Sequence, residues 1–141
     1  MKKVIALRQV QGNYEQRRIV AIVGPTGSGK TALAVAIAQK FNGVLLSADS
    51  RQVYRGLNIG TNKEGVVGKW HGQSARFVND VPQLLIDIVN PAESFTLNDW
   101  LTQTHYALKR IWEVGQLPVV VGGTGLYIDA LLYGWKLPDI K

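Results

Sequence analysis

The sequence IVAIVGPTGSGKTALAVAIAQKFNGVLLSAD spans residues 19 to 49 and changes from a strand pattern to a helix pattern and back. Residues 19 to 23 are a short β-branched run, which is typical of a buried strand. The Ala-rich run from 30 to 40 is apolar almost all round, and this predicts a helix covered on several sides. Asn42-Gly43 ends that helix, and residues 44 to 49 predict a second strand.

The same alternation continues along the rest of the chain. The predicted elements are a strand at 84–89, a helix that begins after Ser94 or Thr96 and ends at Gly115 and Pro118, a strand at 118–123, and a helix at 124–134. Residues 61 to 80, with several glycines and basic side chains, predict a polar loop or a lid. Continuous apolar strands that alternate with helices predict an α/β fold, with a mostly parallel sheet between two layers of helices.

Composition sets broad limits on the protein class. A length of 141 residues suits one domain with its own core, and we divide the chain into an N-terminal extension (1–16) without a clear fold of its own and a core domain (17–141). The absence of cysteine excludes a disulfide framework and thiolate metal sites, and is compatible with the cytoplasm. No apolar run approaches the roughly 20 residues that span a bilayer, so we expect no membrane segment. A net charge of +6 favours a polyanionic partner without locating a site.

The segment GPTGSGKT matches the phosphate-binding pattern G-x-x-x-x-G-K-[ST], between a predicted strand and a predicted helix. Its glycines allow backbone N–H groups to turn toward phosphate oxygens, and the following helix adds its positive N-terminal end. The lysine supplies a charge to the outer phosphate, and the threonine hydroxyl is a candidate ligand for Mg²⁺. The predicted diphosphate- or nucleotide-binding residues are Gly24, Pro25, Thr26, Gly27, Ser28, Gly29, Lys30 and Thr31.

Two acidic residues lie on predicted strands near this loop. Asp49 ends the second strand, where an acid either holds Mg²⁺ or acts as a general base, and spacing alone does not choose between these roles. Asp87 lies inside the predicted third strand, where a structural partnership with a nearby loop is the favoured interpretation. Asp49 and the Gly122-Gly123-Thr124 turn both follow predicted strands, as the phosphate loop does. We therefore expect all three at one edge of the sheet, where open α/β sheets bind ligands.

Four blocks of sequence resemble the tRNA dimethylallyltransferase (tRNA isopentenyltransferase) family. They are GPTGSGKT, SADSRQVYRGLNIGT (47–61), LLIDIVNP (84–91) and LPVVVGGTGLYIDALLYG (117–134), in the family's order. The resemblance implies a P-loop NTPase-like three-layer sandwich. It also implies transfer of a dimethylallyl group from dimethylallyl diphosphate to N6 of adenosine 37 in the anticodon loop of tRNA, with release of diphosphate.

The resemblance also implies residue roles. Asp49 would be the general base, and Thr26 would hydrogen-bond near the reacting end of the diphosphate. Mg²⁺ on Thr31 would help to neutralise the leaving group. The residues implied to contact tRNA are Asp49, Ser50, Arg51, Gln52 and Thr124. We expect a monomer whose partners are tRNA and dimethylallyl diphosphate.

The resemblance covers the N-terminal part of the family pattern. A helical tRNA-binding insertion, the C-terminal part of the catalytic domain and an arginine-bearing motif are expected further along than Lys141, so catalysis by these residues alone is left open. The stretch 63–81 is also longer and less typical than in the family. The alternatives are an adenylate isopentenyltransferase that uses AMP, ADP or ATP, a small-metabolite kinase, and a catalytically incomplete domain that binds diphosphate.

Overall fold

The computed structural model describes residues 3–9, 18–25, 29–56, 65–123 and 125–132. The strands are β1 (Lys3–Gln9), β2 (Arg18–Val23), β3 (Gly43–Ser47), β4 (Val66–Trp70), β5 (Gln73–Val78), β6 (Val81–Leu84) and β7 (Leu117–Gly122). The helices are α1 (Lys30–Phe41), α2 (Leu97–Glu113) and α3 (Gly125–Leu132). Within the described ranges no helix is long and apolar enough to cross a bilayer.

These strands form one seven-stranded sheet in the order β1-β2-β7-β3-β6-β5-β4. The central strands β2, β7, β3 and β6 are parallel, whereas β1, β5 and β4 pair antiparallel at the two sides. One apolar cluster joins α1 to the sheet, and a second joins α2 and α3 to the other face. The α/β class and the three layers are confirmed, and the sheet is mixed because antiparallel strands flank its parallel centre.

The two helices predicted before residue 115 form close to their expected bounds. α1 ends at Phe41 and is capped by Asn42, whose φ of 55° is a left-handed conformation that asparagine tolerates. Thr96, not Ser94, caps α2, since its hydroxyl accepts the Asp99 N–H while the Asp99 carboxylate accepts the Thr96 N–H. The apolar stripe of α2 faces the core, where Trp100 is fully buried.

The predicted loop or lid at 61–80 is wrong for the residues that the structure describes from 65 onward. β4 and β5 form an antiparallel hairpin, and His71 and Gly72 make its two-residue turn with φ of 45° and 82°. Gly68 suggested a loop because glycine is uncommon inside strands. A Cβ at Gly68 would lie 2.9 Å from the Phe77 ring, so the residue leaves room for an aromatic side chain on the paired strand. Residues 61–64 lie outside the described ranges.

The third strand was predicted at 84–89 and lies instead at Val81–Leu84. Leu85 and Asp87 have φ of 67° and 57°, which ends the extended conformation. Leu85 and Ile86 are nevertheless buried, and this explains the apolar run that imitated a strand.

The N-terminal segment was expected to be an extension without a clear fold of its own, and the structure describes part of it as a strand of the core sheet. Residues 3–9 form β1, which pairs with the free edge of β2 from Lys3 opposite Val23 to Gln9 opposite Arg18. An edge strand gains its backbone hydrogen bonds from its partner, so the local pattern did not reveal it. The boundary at residue 16 stays a prediction.

Candidate active site at the carboxyl edge of the sheet

The phosphate-binding segment lies between β2 and α1, as predicted. The Gly24 N–H donates to the Gly122 carbonyl at 3.1 Å, so the start of the loop is tied to the end of β7. Gly29 caps α1 with φ of 83°, a left-handed conformation that glycine adopts without strain. Thr26, Gly27 and Ser28 lie outside the described residues. The strand-loop-helix context of the motif is therefore confirmed.

The first turn of α1 carries the charge expected of a phosphate site. Lys30 and Thr31 are its first two residues, both half-buried, and no acidic side chain in that turn offsets the positive end of the helix. A Cβ built on Gly123 would lie 3.9 Å from the Lys30 Nζ. The ammonium group therefore reaches the turn after β7, where it adds to the positive field of the helix end.

Asp49 lies at the same edge, two residues beyond β3. The preceding residue, Ala48, donates its N–H to the Val121 carbonyl at 2.7 Å, which aligns the ends of β3 and β7. The Asp49 Oδ1 accepts the Arg51 N–H at 2.8 Å, and the Arg51 Nε lies 3.8 Å from that oxygen. The Asp49 side chain is 16% exposed. It is thus oriented by the backbone and still reaches solvent.

The segment after Asp49 is held in place by backbone hydrogen bonds to residues 87–89, which follow β6. The Asp87 N–H donates to the Gln52 carbonyl at 3.0 Å, and the Ile88 N–H donates to the Val53 carbonyl at 2.8 Å. The Arg55 N–H donates in turn to the Val89 carbonyl at 2.8 Å. Residues 49 to 56 therefore form an ordered surface beside the phosphate loop although they belong to no strand.

Buried polar contacts that the sequence did not reveal position Gln52. The Ser47 hydroxyl donates to the Gln52 Oε1 at 2.7 Å, and the Ser47 carbonyl accepts the Trp100 Nε1–H at 3.0 Å. The Trp100 ring packs against Tyr127, with centroids 4.9 Å apart. The one sequence feature that could have indicated this contact was Ser47 in an otherwise apolar strand, because a fully buried hydroxyl requires a hydrogen-bond partner.

Tyr127 is a core residue near the acid of the site. Burial raises the pKa of the Tyr127 phenol above its ordinary value, and the negative charges of the Asp49 and Asp99 carboxylates add smaller contributions in the same direction. The phenol therefore stays protonated at neutral pH.

Asp87 belongs to a structural ion pair. Its Oδ2 accepts a hydrogen bond from the Arg76 Nε at 2.8 Å, and the two side chains are 22% and 17% exposed. The favoured structural interpretation is confirmed, although the partner lies on β5 and not on a loop. Asp49, by contrast, lies at the edge that carries the phosphate loop.

The described residues bring together Gly24, Lys30, Asp49 and the Gly122-Gly123 turn, as the sequence predicted. Pro25, Ser50 and Arg51 are exposed on the same segments. Thr124 lies outside the described residues. Among those described, no group of three acidic or histidine side chains could hold a metal ion by itself. The arrangement can bind a phosphate-bearing ligand and present a carboxylate beside it.

Two family models match the chain. One, described as IPP transferase, matches residues 52–141, and another, described as isopentenyl transferase, matches residues 17–70. A tRNA dimethylallyltransferase of a Roseiflexus species is 47% identical over 122 residues, covering 86% of this chain and 37% of the relative. The corresponding protein of Acaryochloris marina is 43% identical, with the same coverage.

Solved structures agree with these relatives. The full-length tRNA isopentenylpyrophosphate transferase of Bacillus halodurans matches with a TM-score of 0.74 and 43% identity, covering 87% of this chain and 38% of that one. A eukaryotic dimethylallyltransferase acting on tRNA matches with a TM-score of 0.66 and 34% identity, covering 80% and 26%. The chain thus spans well under half the length of these relatives. Because one model matches more than half of its residues, the chain belongs to the IPP transferase family.

Proposed function

We propose that the chain is part of a tRNA dimethylallyltransferase, which transfers a dimethylallyl group from dimethylallyl diphosphate to N6 of adenosine 37 in tRNA. The observation that carries the proposal is the meeting of three segments at one sheet edge. The Gly24 N–H, at the start of the phosphate loop, donates to the Gly122 carbonyl at 3.1 Å. The Ala48 N–H, one residue before Asp49, donates to the Val121 carbonyl at 2.7 Å, so both segments are anchored at the end of β7. The similar proteins are dimethylallyltransferases that act on tRNA, which supports tRNA as the acceptor and dimethylallyl as the transferred group.

The loop would bind the diphosphate that leaves. When the allylic C–O bond breaks, negative charge collects on that diphosphate, and fixed positive charge around it lowers the barrier. Lys30 and the N-terminal end of α1 supply such charge, and no acid in the first helical turn weakens it. Thr26 would hydrogen-bond near the bridging oxygen.

Asp49 would accept the proton of the incoming amine. The exocyclic amine of adenine is a weak nucleophile because its lone pair is delocalised into the ring, so a base that removes its proton as the C–N bond forms assists the attack. The Asp49 carboxylate has its Oδ1 on the Arg51 N–H. The carboxylate would take up the proton that the adenine amine loses as the new C–N bond forms. The diphosphate would leave with the electron pair of the broken C–O bond, so the reaction balances.

The target adenosine would be held by residues 49 to 52. The side-chain Oε1 of Gln52 accepts a hydrogen bond from the Ser47 hydroxyl, which sets the plane of an amide suited to read the edge of a base. Ser50 and Arg51 are exposed beside it for contact with tRNA, and Thr124 is proposed for the same role. The adenosine must leave its stack to reach this edge, which costs least in an unpaired loop.

Mg²⁺ is proposed at Thr31. The described residues offer no carboxylate cluster for a metal, which fits an ion held mainly by phosphate oxygens and water, with one hydroxyl from the protein. Bound Mg²⁺ would supply further neutralisation of the leaving diphosphate.

The decisive experiment incubates the chain with labelled dimethylallyl diphosphate, Mg²⁺ and unmodified tRNA, with AMP in parallel. We expect label on tRNA and none on AMP. Asp49→Asn should lower the rate by roughly 10²- to 10⁴-fold, the usual contribution of a general base. Asp80→Asn is the matched control, because Asp80 is exposed in the turn before β6, at the opposite edge of the sheet.

A binding measurement tests the loop separately. Lys30→Ala should weaken binding of dimethylallyl diphosphate by roughly 10- to 100-fold, since a hydrogen bond to a charged group contributes about 1.5–3 kcal/mol. Lys40→Ala, in the last turn of the same helix, should bind like the original chain. If dimethylallyl diphosphate binds but no label reaches tRNA or AMP, only the interpretation as a diphosphate-binding domain remains. Label on AMP would favour an adenylate isopentenyltransferase.

A further inference from the structure

A cavity of about 320 Å³ lies away from the phosphate loop, between the start of β5, the end of β6 and the middle of α2. The site described above uses none of the side chains that line it. Ligand pockets begin at roughly 300 Å³, so the volume of this cavity suits a small ligand.

The lining of this cavity combines apolar and polar side chains. Leu84, Leu85 and Ala107 are core residues that are each nearly fully buried, and they form its apolar part, the apolar wall. Gln73 and Gln103 place amide groups on the lining. A flat ligand with apolar faces and hydrogen-bonding edges suits such walls, and nucleobases have this chemistry.

Tyr106 and Arg55 add the features of a nucleotide site. Tyr106 lines the cavity and is 67% exposed, so the core does not account for its aromatic ring. Arg55 is exposed, and its Nε donates to the Asp87 carbonyl at 3.1 Å, which orients the guanidinium. Among the ion pairs of the described residues none includes Arg55, and the nearby Asp87 carboxylate is paired with Arg76. The local charge therefore favours an anionic group such as a phosphate.

The cavity and the candidate active site share one backbone segment. Arg55 follows Asp49 by six residues, and this segment is hydrogen-bonded to residues 87–89 along its length. Six residues reach at most roughly 20 Å even when fully extended. A polynucleotide whose adenosine lies at Asp49 can thus reach Arg55 within a few nucleotides.

We propose that this cavity binds one unpaired nucleotide of the RNA substrate, near the adenosine that is modified. Its base would lie beside Tyr106 on the apolar wall, with its edge toward the two glutamines and its phosphate at Arg55. The inference rests on the proposed function, because it takes RNA as the acceptor. The hairpin that supplies Gln73 also lies in the stretch where the sequence departs from the family pattern, so the contact would be particular to chains with this hairpin.

The first test measures binding of an anticodon stem-loop RNA to the chain by fluorescence anisotropy. Tyr106→Ala should weaken binding by roughly 5- to 150-fold, the equivalent of about 1–3 kcal/mol of base stacking. Tyr106→Phe keeps the ring and should restore binding to within about twofold. Phe41→Ala removes an aromatic ring that is 57% exposed outside the cavity, and should have no effect. Binding of dimethylallyl diphosphate should be unchanged in all three.

The second test uses the absence of cysteine from the sequence. Gln103→Cys introduces a single thiol in the cavity, and Lys109→Cys introduces one on the same helix outside it. With a photo-crosslinking group on the thiol, we expect the first variant to crosslink to one unpaired loop nucleotide. The second should crosslink at background level.

The outcomes separate the two proposals. If RNA binds the original chain and Tyr106→Ala equally well, or if both thiols crosslink alike, the cavity inference fails while the proposed function stands. If AMP binds in a manner that depends on Tyr106 while the RNA does not, the cavity is a site for a free nucleotide and the inference is overturned. If the original chain binds no RNA and modifies none, both proposals fail.

Discussion

Replacing Asp87 with Asn is expected to lower the free energy of unfolding by about 1–3 kcal/mol. The Asp87 Oδ2 lies 2.8 Å from the Arg76 Nε, and both side chains are about four-fifths shielded from solvent. A charge-assisted hydrogen bond in this setting is screened little by water. Its loss also leaves the Arg76 guanidinium partly buried without that carboxylate. Asn tolerates the positive φ of 57° at this position, so the substitution changes the charge and not the backbone.

Asp49→Asn provides the matched comparison and should change the free energy of unfolding by less than about 0.5 kcal/mol. Its amide oxygen can still accept the Arg51 N–H, and the ion pair that it loses is long, at 3.8 Å, with an arginine that is 60% exposed. Urea unfolding followed by circular dichroism measures both variants. With a slope of about 2 kcal/mol/M, a loss of 2 kcal/mol lowers the midpoint by about 1 M.

Equal midpoints for the two variants would refute the assignment of Asp87 to a structural ion pair. A double-mutant cycle with Arg76→Gln isolates the pair itself, because the cycle removes effects that each residue has on its own. A coupling energy near zero would show that the 2.8 Å contact contributes nothing to stability.

Three further substitutions test the packing and titration of the fold. Thr104→Val should raise the free energy of unfolding by about 0.5–2 kcal/mol, because the buried Thr104 hydroxyl has no hydrogen-bond partner among the described residues. A urea titration measures this change. A loss of stability would show that the hydroxyl is hydrogen-bonded. Gly122→Ala should cost about 1–3 kcal/mol, since its Cβ would lie 3.0 Å from a Cβ of the segment after β3. Gly123→Ala, with 3.9 Å to the nearest described atom, is the control, and equal losses would contradict the steric argument. Partial burial lowers the pKa of His105 below 6.5, so its protonation favours the unfolded chain. Thermal melts should show stability falling as the pH drops from about 7 to 5, by less than about 1 kcal/mol because His105 is only partly buried, and His105→Gln should flatten that decline.

Local patterns predicted the elements that carry the phosphate site. The strand before Gly24 and the helix after Gly29 were expected from a β-branched run and an Ala-rich run, and each is close to its predicted bounds. The placement of Asp49 beside the turn after β7 followed from a general property of parallel sheets, whose carboxyl ends share one edge. The two elements depend on short-range sequence, and the placement of Asp49 depends on a rule common to parallel sheets, so all were accessible without coordinates.

Other features depended on residues far apart in the chain. Gly68 lies in β4 opposite Ala75, at a position where a Cβ would come within 2.9 Å of the Phe77 ring. Asp87 has a positive φ and pairs with Arg76. Neither contact has a local signature. The hairpin and the shortened third strand were therefore missed.

The sequence by itself determined the phosphate loop, the acid that follows the second predicted strand, and the family to which these motifs belong. The motifs are contiguous, and their chemistry is a property of residue type and spacing. Only the tertiary structure decided that Asp87 pairs with Arg76, how Ser47 and Trp100 position Gln52, and that a cavity opens beside Tyr106. Each of these depends on side chains that are brought together from different elements by packing, and a linear pattern does not encode those distances.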